Sequence, residues 1–528
     1  ITTLEYACIL SLKGHAGQVG AGDVRSIDWD VIPRQARGGF VMNCRPSNTG
    51  LTIAVVAFAV FMMTAVPVMA QHPAINLLDH NGDVIDPVNG ENANAPFSTK
   101  QTCGMCHDYD VITEGYHFQM GWNTVADDYG VEAGRPWSLS NGFLGRWYPY
   151  AFRQLAKKTN THPDEIDLTV YDFVGFSSPG RGEPPCGACH PGGGGFEFDR
   201  DGNRYDEHLA ENPGLAESMD GDYHNSKWAA SGVVEADCLI CHLAGYDFEA
   251  RVDQLKEGNY RWAVVAGSRL GLVDGSVRRD RERSVTYETR LFNADGTITL
   301  DMSWPPPDDN CMYCHGSSDV KKRGFSWNDI FNPDIHNQQG VNCAACHPAG
   351  LDHQIAKGVE PAFTVAPEHD GSNKSCQECH MSGYLGAPVP EHATIRPGHL
   401  EKIRCESCHI PQLNRAAAHG HEATTGRLEF HPRPVEADEP GDVGLWNPDY
   451  ERRADDEIYP MNRFLAVYWG NRDADGLIHP LFLSEHEAGW RSFADQVVDD
   501  DDDGHKEVNR PEEILAGLTA FTSTLEGN

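Results

Sequence analysis

Seven times the chain spells Cys-x-x-Cys-His, beginning at Cys103, Cys186, Cys238, Cys311, Cys343, Cys376 and Cys405. The second cysteines are Cys106, Cys189, Cys241, Cys314, Cys346, Cys379 and Cys408, and each is followed by a histidine: His107, His190, His242, His315, His347, His380 and His409. Two thiols three residues apart can each add to one vinyl group of the same haem, and the next histidine then lies against the iron. The spacing therefore reads as covalent attachment of haem c, with the histidine as proximal axial ligand. Structural zinc is the rival, because CxxC pairs also serve as its half-sites. Zinc does not explain a histidine directly after every second cysteine.

A low-spin haem that only carries electrons needs a second ligand opposite the motif histidine. His336, His369 and His399 stand five or six residues before motifs 5, 6 and 7, and His224 precedes motif 3 with a longer spacer. A histidine so placed would serve a neighbouring haem. His117 in GYHFQMGW, His353 in HPAGLDHQ, and His392 complete the set of seven distal candidates. Met120 is an alternative that would raise the potential of its haem.

Asp499, Asp501 and Asp503, followed by Gly504, match the first half of a calcium-binding EF-hand loop. Arg510 stands where the bidentate glutamate belongs, so a solvated acidic turn competes with calcium as the reading. The Asx-Gly pairs near Asn293 and Asn471 read as plain turns.

The elements that must hold these residues are short. Motifs 4 to 7 follow one another at intervals of about thirty residues, with the repeated histidine-spacer-CxxCH pattern of a duplicated unit. Motifs 1 to 4 are separated by longer insertions. Within the first of these, Asn141–Phe176 shows a helix-like apolar face through Trp147, Ala151, Phe152 and Leu155, then strand-like alternation. FLAVYW, from Phe464 to Trp469, reads as a buried strand, and Pro511 to Leu525 as a helix with proline and two glutamates in its first turn. The chain has 53 glycines and 32 prolines, and 40% of its residues are hydrophobic. That combination fits a loop-rich polypeptide wrapped around cofactors and excludes collagen-like or disordered chains. A net charge of −36 opposes binding to nucleic acid or anionic membranes and attracts cationic partners.

Leu51 to Ala70 is an uncharged apolar run preceded by Arg45 and ending in Val-Met-Ala. It reads as a secretory signal starting at Met42 and cut after Ala70; an uncleaved anchor is the alternative, since the run is long enough to span a bilayer. The two cysteines outside the motifs, Cys8 and Cys44, would be lost on cleavage. The expected organisation is an upstream extension over 1–41, the signal over 42–70 and a region with haems 1 and 2 over 71–225. A core with haems 3 to 7 over 226–429 and a haem-free acidic region over 430–528 follow. The exported part would reach the periplasm or cell exterior with no integral membrane span.

With these motifs, the stretch from Cys103 to His409 resembles the multihaem c-type cytochromes of anaerobically respiring bacteria and archaea. The resemblance implies a mostly irregular chain with short α-helices and a few short strands wrapped around stacked haems. It implies electron transfer with redox partner proteins or extracellular acceptors. Two alternatives stand beside the carrier. One is a reductase of a nitrogen or sulfur oxyanion with one open haem face, although no CxxCK motif occurs; Lys321 and Lys322 are the nearest lysines after motif 4. The other is a filament whose subunits share ligands.

Overall fold

The described residues of the computed structural model form helices of three to fifteen residues and two- or three-stranded sheets joined by irregular segments. The described residues are 72–126, 128–131, 140, 171–174, 186–218, 222–315, 335–355, 373–410 and shorter segments between 413 and 525. The apolar run before Gln71 lies outside them. Among the described residues no helix is long and apolar enough to cross a membrane.

Two clusters of buried side chains organise the part that carries motifs 1 to 4. The first gathers Leu77 and Ile85 from a short antiparallel hairpin, Phe97, and Leu239 and Ile240 from the helix Cys238–His242. Val285 and Tyr287 reach it from a second hairpin, Gly271–Ser276 paired with Arg281–Tyr287. The second centres on Trp228, which stacks on Tyr205 with ring centres 4.5 Å apart, and takes in Val174, Tyr260 and Leu255. Each large apolar side chain so buried contributes about 1.5–3 kcal/mol.

Tyr171–Val174, expected as part of a strand, forms a helical turn instead. Packing overrides the alternation there. Tyr171 meets Trp228 and Tyr260 edge-on, and its carbonyl accepts a bond from the Tyr260 hydroxyl. The helix-like face through Trp147 to Leu155 lies outside the described residues.

The C-terminal part holds several small sheets and a third cluster of Leu481, Phe493, Val497, Val508 and Phe521. Ala466–Val467, within the expected strand, pairs in parallel with His421–Glu422. Pro511–Leu525 forms the expected helix.

Candidate haem sites

A single helical turn is what Cys-x-x-Cys-His needs. At 3.6 residues per turn, positions i, i+3 and i+4 share one face, so both thiols and the imidazole point the same way. All seven motifs lie on such turns, including Thr99–Gly104, Cys186–Cys189, Asp308–His315 and Glu406–His409. Four turns start on side-chain caps, which supply acceptors for backbone amides that a helix start leaves unpaired. Ser98, Asp237, Asn342 and Ser375 accept from amides in their first turns, and Ser375 forms a full capping box with Glu378. These caps are a sequence signal that the motif reading alone passes over.

The residues between the cysteines anchor some turns. Leu239 and Ile240 of motif 3 are buried in the first cluster. Gly187 of motif 2 sits so close to Val174 that a Cβ there would meet the Val174 carbonyl oxygen at 2.5 Å. Tyr313 of motif 4 stacks on Phe248 at 5.4 Å and donates to the Tyr246 carbonyl.

Arg251, fully buried, is a connector that sequence reading missed. Its guanidinium donates to the carbonyls of Gly187, Ala188 and His190 in motif 2 and lies 3.4 Å from the Asp237 carboxylate that caps motif 3. Burial pushes the Asp237 carboxyl up, and Arg251 and a hydrogen bond from Tyr246 oppose that rise. Asn310 joins motifs 3 and 4 by donating to the Cys241 and Leu243 carbonyls.

Among the described residues, four histidine pairs face each other across gaps of similar size. The ring centres of His117 and His315 are 6.2 Å apart, those of His353 and His242 6.0 Å, His336 and His380 6.2 Å, and His392 and His409 6.1 Å. Each pair joins one motif histidine to one distal candidate. Two imidazoles holding one metal ion from opposite sides, with metal–nitrogen bonds of about 2 Å and about 1.2 Å from nitrogen to ring centre, set their ring centres roughly 6 Å apart. Edge-to-face contact between rings spans about 4.5–7 Å, a far wider spread than the four pairs show.

Second partners suit the same role. Nδ1 of His242, His353 and His380 faces the carbonyl of Ser303, Leu351 and Pro388 respectively, at 2.9 to 3.0 Å. A carbonyl only accepts, so Nδ1 carries the proton and Nε2 is left with its lone pair for a metal. Burial holds His242 below the usual imidazole range and pushes His190 down to about 4, keeping both neutral, the ligating form.

The remaining distal candidates fare differently. His224 is part-buried with Nδ1 on the Ser218 carbonyl, and His399 is exposed on the turn Pro397–Leu400. Neither faces a motif histidine among the described residues. His369 lies outside them, as do Lys321 and Lys322. Of the acidic loop, Asp501 and Asp503 are likewise outside, and Asp499 is part-buried. Arg510 pairs with Asp500 at 3.5 Å, and the Glu513 carboxylate accepts from the amides of Val498, Asn509 and Arg510. Among the described residues no group of three His, Cys, Asp or Glu side chains could hold a metal ion.

The sequence profile of the family described as cytochrome c554 and c-prime matches residues 353–410, a stretch with motifs 6 and 7 and with His353 and His392. No curated protein and no solved structure matches the chain. Over that stretch the chain is similar to a family of c-type cytochromes, whose haem c is covalently bound, and the match supports a c-type cytochrome here, as do thiols and imidazoles set on one face of a helical turn.

Proposed function

We propose that the chain is an exported heptahaem cytochrome that relays electrons through mainly bis-histidine haems of low potential. The four histidine pairs with ring centres 6.0 to 6.2 Å apart carry this reading. Bound haem would supply an iron that takes up and releases one electron, Fe(III) to Fe(II) and back, with no bond made or broken. The chain's own part is to attach, orient and ligate. The cysteines would attach each haem, the motif histidines would each ligate its iron, and His117, His353, His336 and His392 would supply the second ligand at motifs 4, 3, 6 and 7. Carbonyls on Nδ1 stop the rings of His242, His353 and His380 from turning. Two histidine ligands on an iron would leave it no face for a substrate, which favours a carrier over a reductase. Negative charge near a haem favours Fe(III), so the charge of −36 supports low potentials. The partners would be redox proteins or extracellular acceptors met in the periplasm or outside the cell.

The test is haem stoichiometry together with low-temperature EPR of the oxidised protein. Seven haems with only low-spin signals are expected. A high-spin signal from about one haem in seven would mark an open axial position and replace the carrier with a reductase.

A further inference from the structure

Two of the four facing histidine pairs are held at one place. His117, which faces His315 of motif 4, belongs to the helical turn Tyr116–Gln119, and His353, which faces His242 of motif 3, belongs to the loop that follows motif 5. Loop and turn grip each other through Gln354. Its side-chain carbonyl accepts from the Tyr116 amide at 3.3 Å, and its side-chain amide donates to the Glu114 carbonyl at 3.0 Å. The Tyr116 amide opens a helical turn, where backbone N–H groups have no partner within the helix. One side chain therefore binds the backbone on both sides of Gly115.

Gly115 makes the close approach possible. It is buried, and a Cβ there would meet the carbonyl oxygens of His353 at 2.8 Å and Asp352 at 3.2 Å. Phe118, buried on the same turn, lies against the His353 ring with 6.5 Å between centres. His353 itself has a φ of 54°, in the left-handed region that a residue with a Cβ rarely adopts. Such a conformation persists where the surroundings fix it. Here they are the Leu351 carbonyl on its Nδ1, the Gln354 amide bonded to the Asp352 carboxylate at 3.2 Å, and the grip of Gln354 on the turn.

We infer that Gln354 and Gly115 form a clasp that sets the second axial ligand of two haem sites at once, those of motifs 3 and 4, so that coordination of the two irons is coupled. The inference rests on the bis-histidine reading above and adds what positions the ligands. Gln354 and Gly115 are positioning residues, each acting through the histidine beside it. An imidazole ligates only while its nitrogen is held about 2 Å from the metal, so a displaced backbone withdraws it. Because the clasp joins the two segments, loosening it frees His353 on one side and His117 on the other. The pairs His336–His380 and His392–His409 involve other segments and serve as internal controls.

The test reads spin states in the mature holoprotein by low-temperature EPR, with haem stoichiometry measured alongside. His353→Ala and His117→Ala first mark the two sites. Each should convert about one haem in seven to high spin, and the low-spin signal it loses belongs to motif 3 or motif 4 respectively. Gln354→Leu keeps the size of the side chain but removes both bonds, while Gly115→Ala pushes the backbones apart and leaves Gln354 in place. Either variant should raise a high-spin signal at the expense of those same two low-spin signals, to a limit of about two haems in seven. The remaining low-spin signals should be unchanged, and free imidazole should return both sites to low spin. A loss confined to motif 3, whose ligand adjoins Gln354, would overturn the coupling. No high-spin signal from either variant, or an equal loss from every haem, would overturn the clasp. If His353→Ala and His117→Ala themselves left every haem low-spin, the bis-histidine reading would fall instead.

Discussion

Motifs 1 to 4 and motifs 5 to 7 share one helical turn, yet protein holds the first group and little but the motif itself holds the second. Around motifs 1 to 4 the turns are set against two buried clusters, with Leu239, Ile240 and Ala188 between motif cysteines and Thr99 and Thr102 beside motif 1 all buried. In residues 335–355 and 373–410 the one buried residue is Glu406. There Leu351 is 92% exposed, and Met381, Leu385 and Val389 each more than half exposed. The intervening residues follow suit: Leu-Ile in motif 3 but Ala-Ala, Gln-Glu and Glu-Ser in motifs 5, 6 and 7. Burial of apolar surface is the main force that orders a chain, so a region whose described residues bury almost none would owe its order to haem held by its cysteines.

The largest consequence concerns the chain before haem is attached. Amides of residues 343–346 and 376–380 should exchange with solvent about 100-fold faster or more in the unmatured protein than in the mature one, while those of the hairpin 271–287 keep most of their protection. Hydrogen exchange read by mass spectrometry measures both. Equal loss in the two regions would erase the contrast.

Arg251 sharpens the comparison from the side of the scaffolded motifs. Arg251→Met keeps the volume but leaves Asp237 buried without its cation and three motif 2 carbonyls without their donor. Breaking a buried pair by removing one partner costs about 3–5 kcal/mol, to be read from the urea midpoint of the mature protein. The exposed pair Lys374–Glu378 of motif 6, at 3.3 Å, is the counterpart. Lys374→Met should cost about 0.5 kcal/mol or less.

The motifs and the chain's loop-rich character were legible in the sequence, because attachment chemistry is local and spacing records it. All four histidines that face a motif histidine were among the sequence candidates, but which motif each would face was not legible. Spacing put forward His336, His369, His399 and His224 first, whereas three of the four facing pairs use His117, His353 and His392. His117 meets a motif nearly two hundred residues downstream. His353 reaches motif 3 because Gln354 bonds to Tyr116 and Glu114, and because Gly115 has no side chain where the Asp352–His353 backbone passes. Such long-range approaches leave no local pattern. Arg251 escaped for the same reason: nothing near it in sequence shows that three carbonyls and a carboxylate will surround it.

Among the described residues, the buried carboxyls displaced toward neutrality, Asp237 and Glu197, lie in the scaffolded region. Glu197, fully buried beside Arg204, Lys100 and Tyr109, is pushed up to about 7, chiefly by burial and partly by Glu235, while Arg204 and Lys100 pull the other way. A carboxyl whose folded value lies above its unfolded one binds more protons when folded. Its contribution to stability is therefore full below about pH 4.5 and is lost as pH rises to about 7. Glu197→Gln should remove a slope worth of the order of 2–3 kcal/mol between those limits. Urea melts of the mature protein at pH 5 and pH 8 would measure it, and an unchanged slope would mean that the Arg204 pair keeps Glu197 ionised throughout.

The smallest effect separates local order from global hold. Ser375 caps the motif 6 turn by accepting from the Glu378 amide, while the Glu378 side chain accepts from the Ser375 amide at 2.6 Å. Ser375→Ala should cost the turn about 1 kcal/mol, or roughly a fivefold rise in exchange of the Cys376–His380 amides. Because two thioethers and an axial histidine would fix the same turn, the urea midpoint of the mature protein should hardly move. Asp237 caps motif 3 in the same way, but is buried and also binds Tyr246 and Arg251. Asp237→Ala should therefore lower the midpoint as well as loosen its turn. If Ser375→Ala lowered the midpoint as far, motif 6 would depend on its cap as motif 3 does on its scaffold, and the contrast between the two regions would fail.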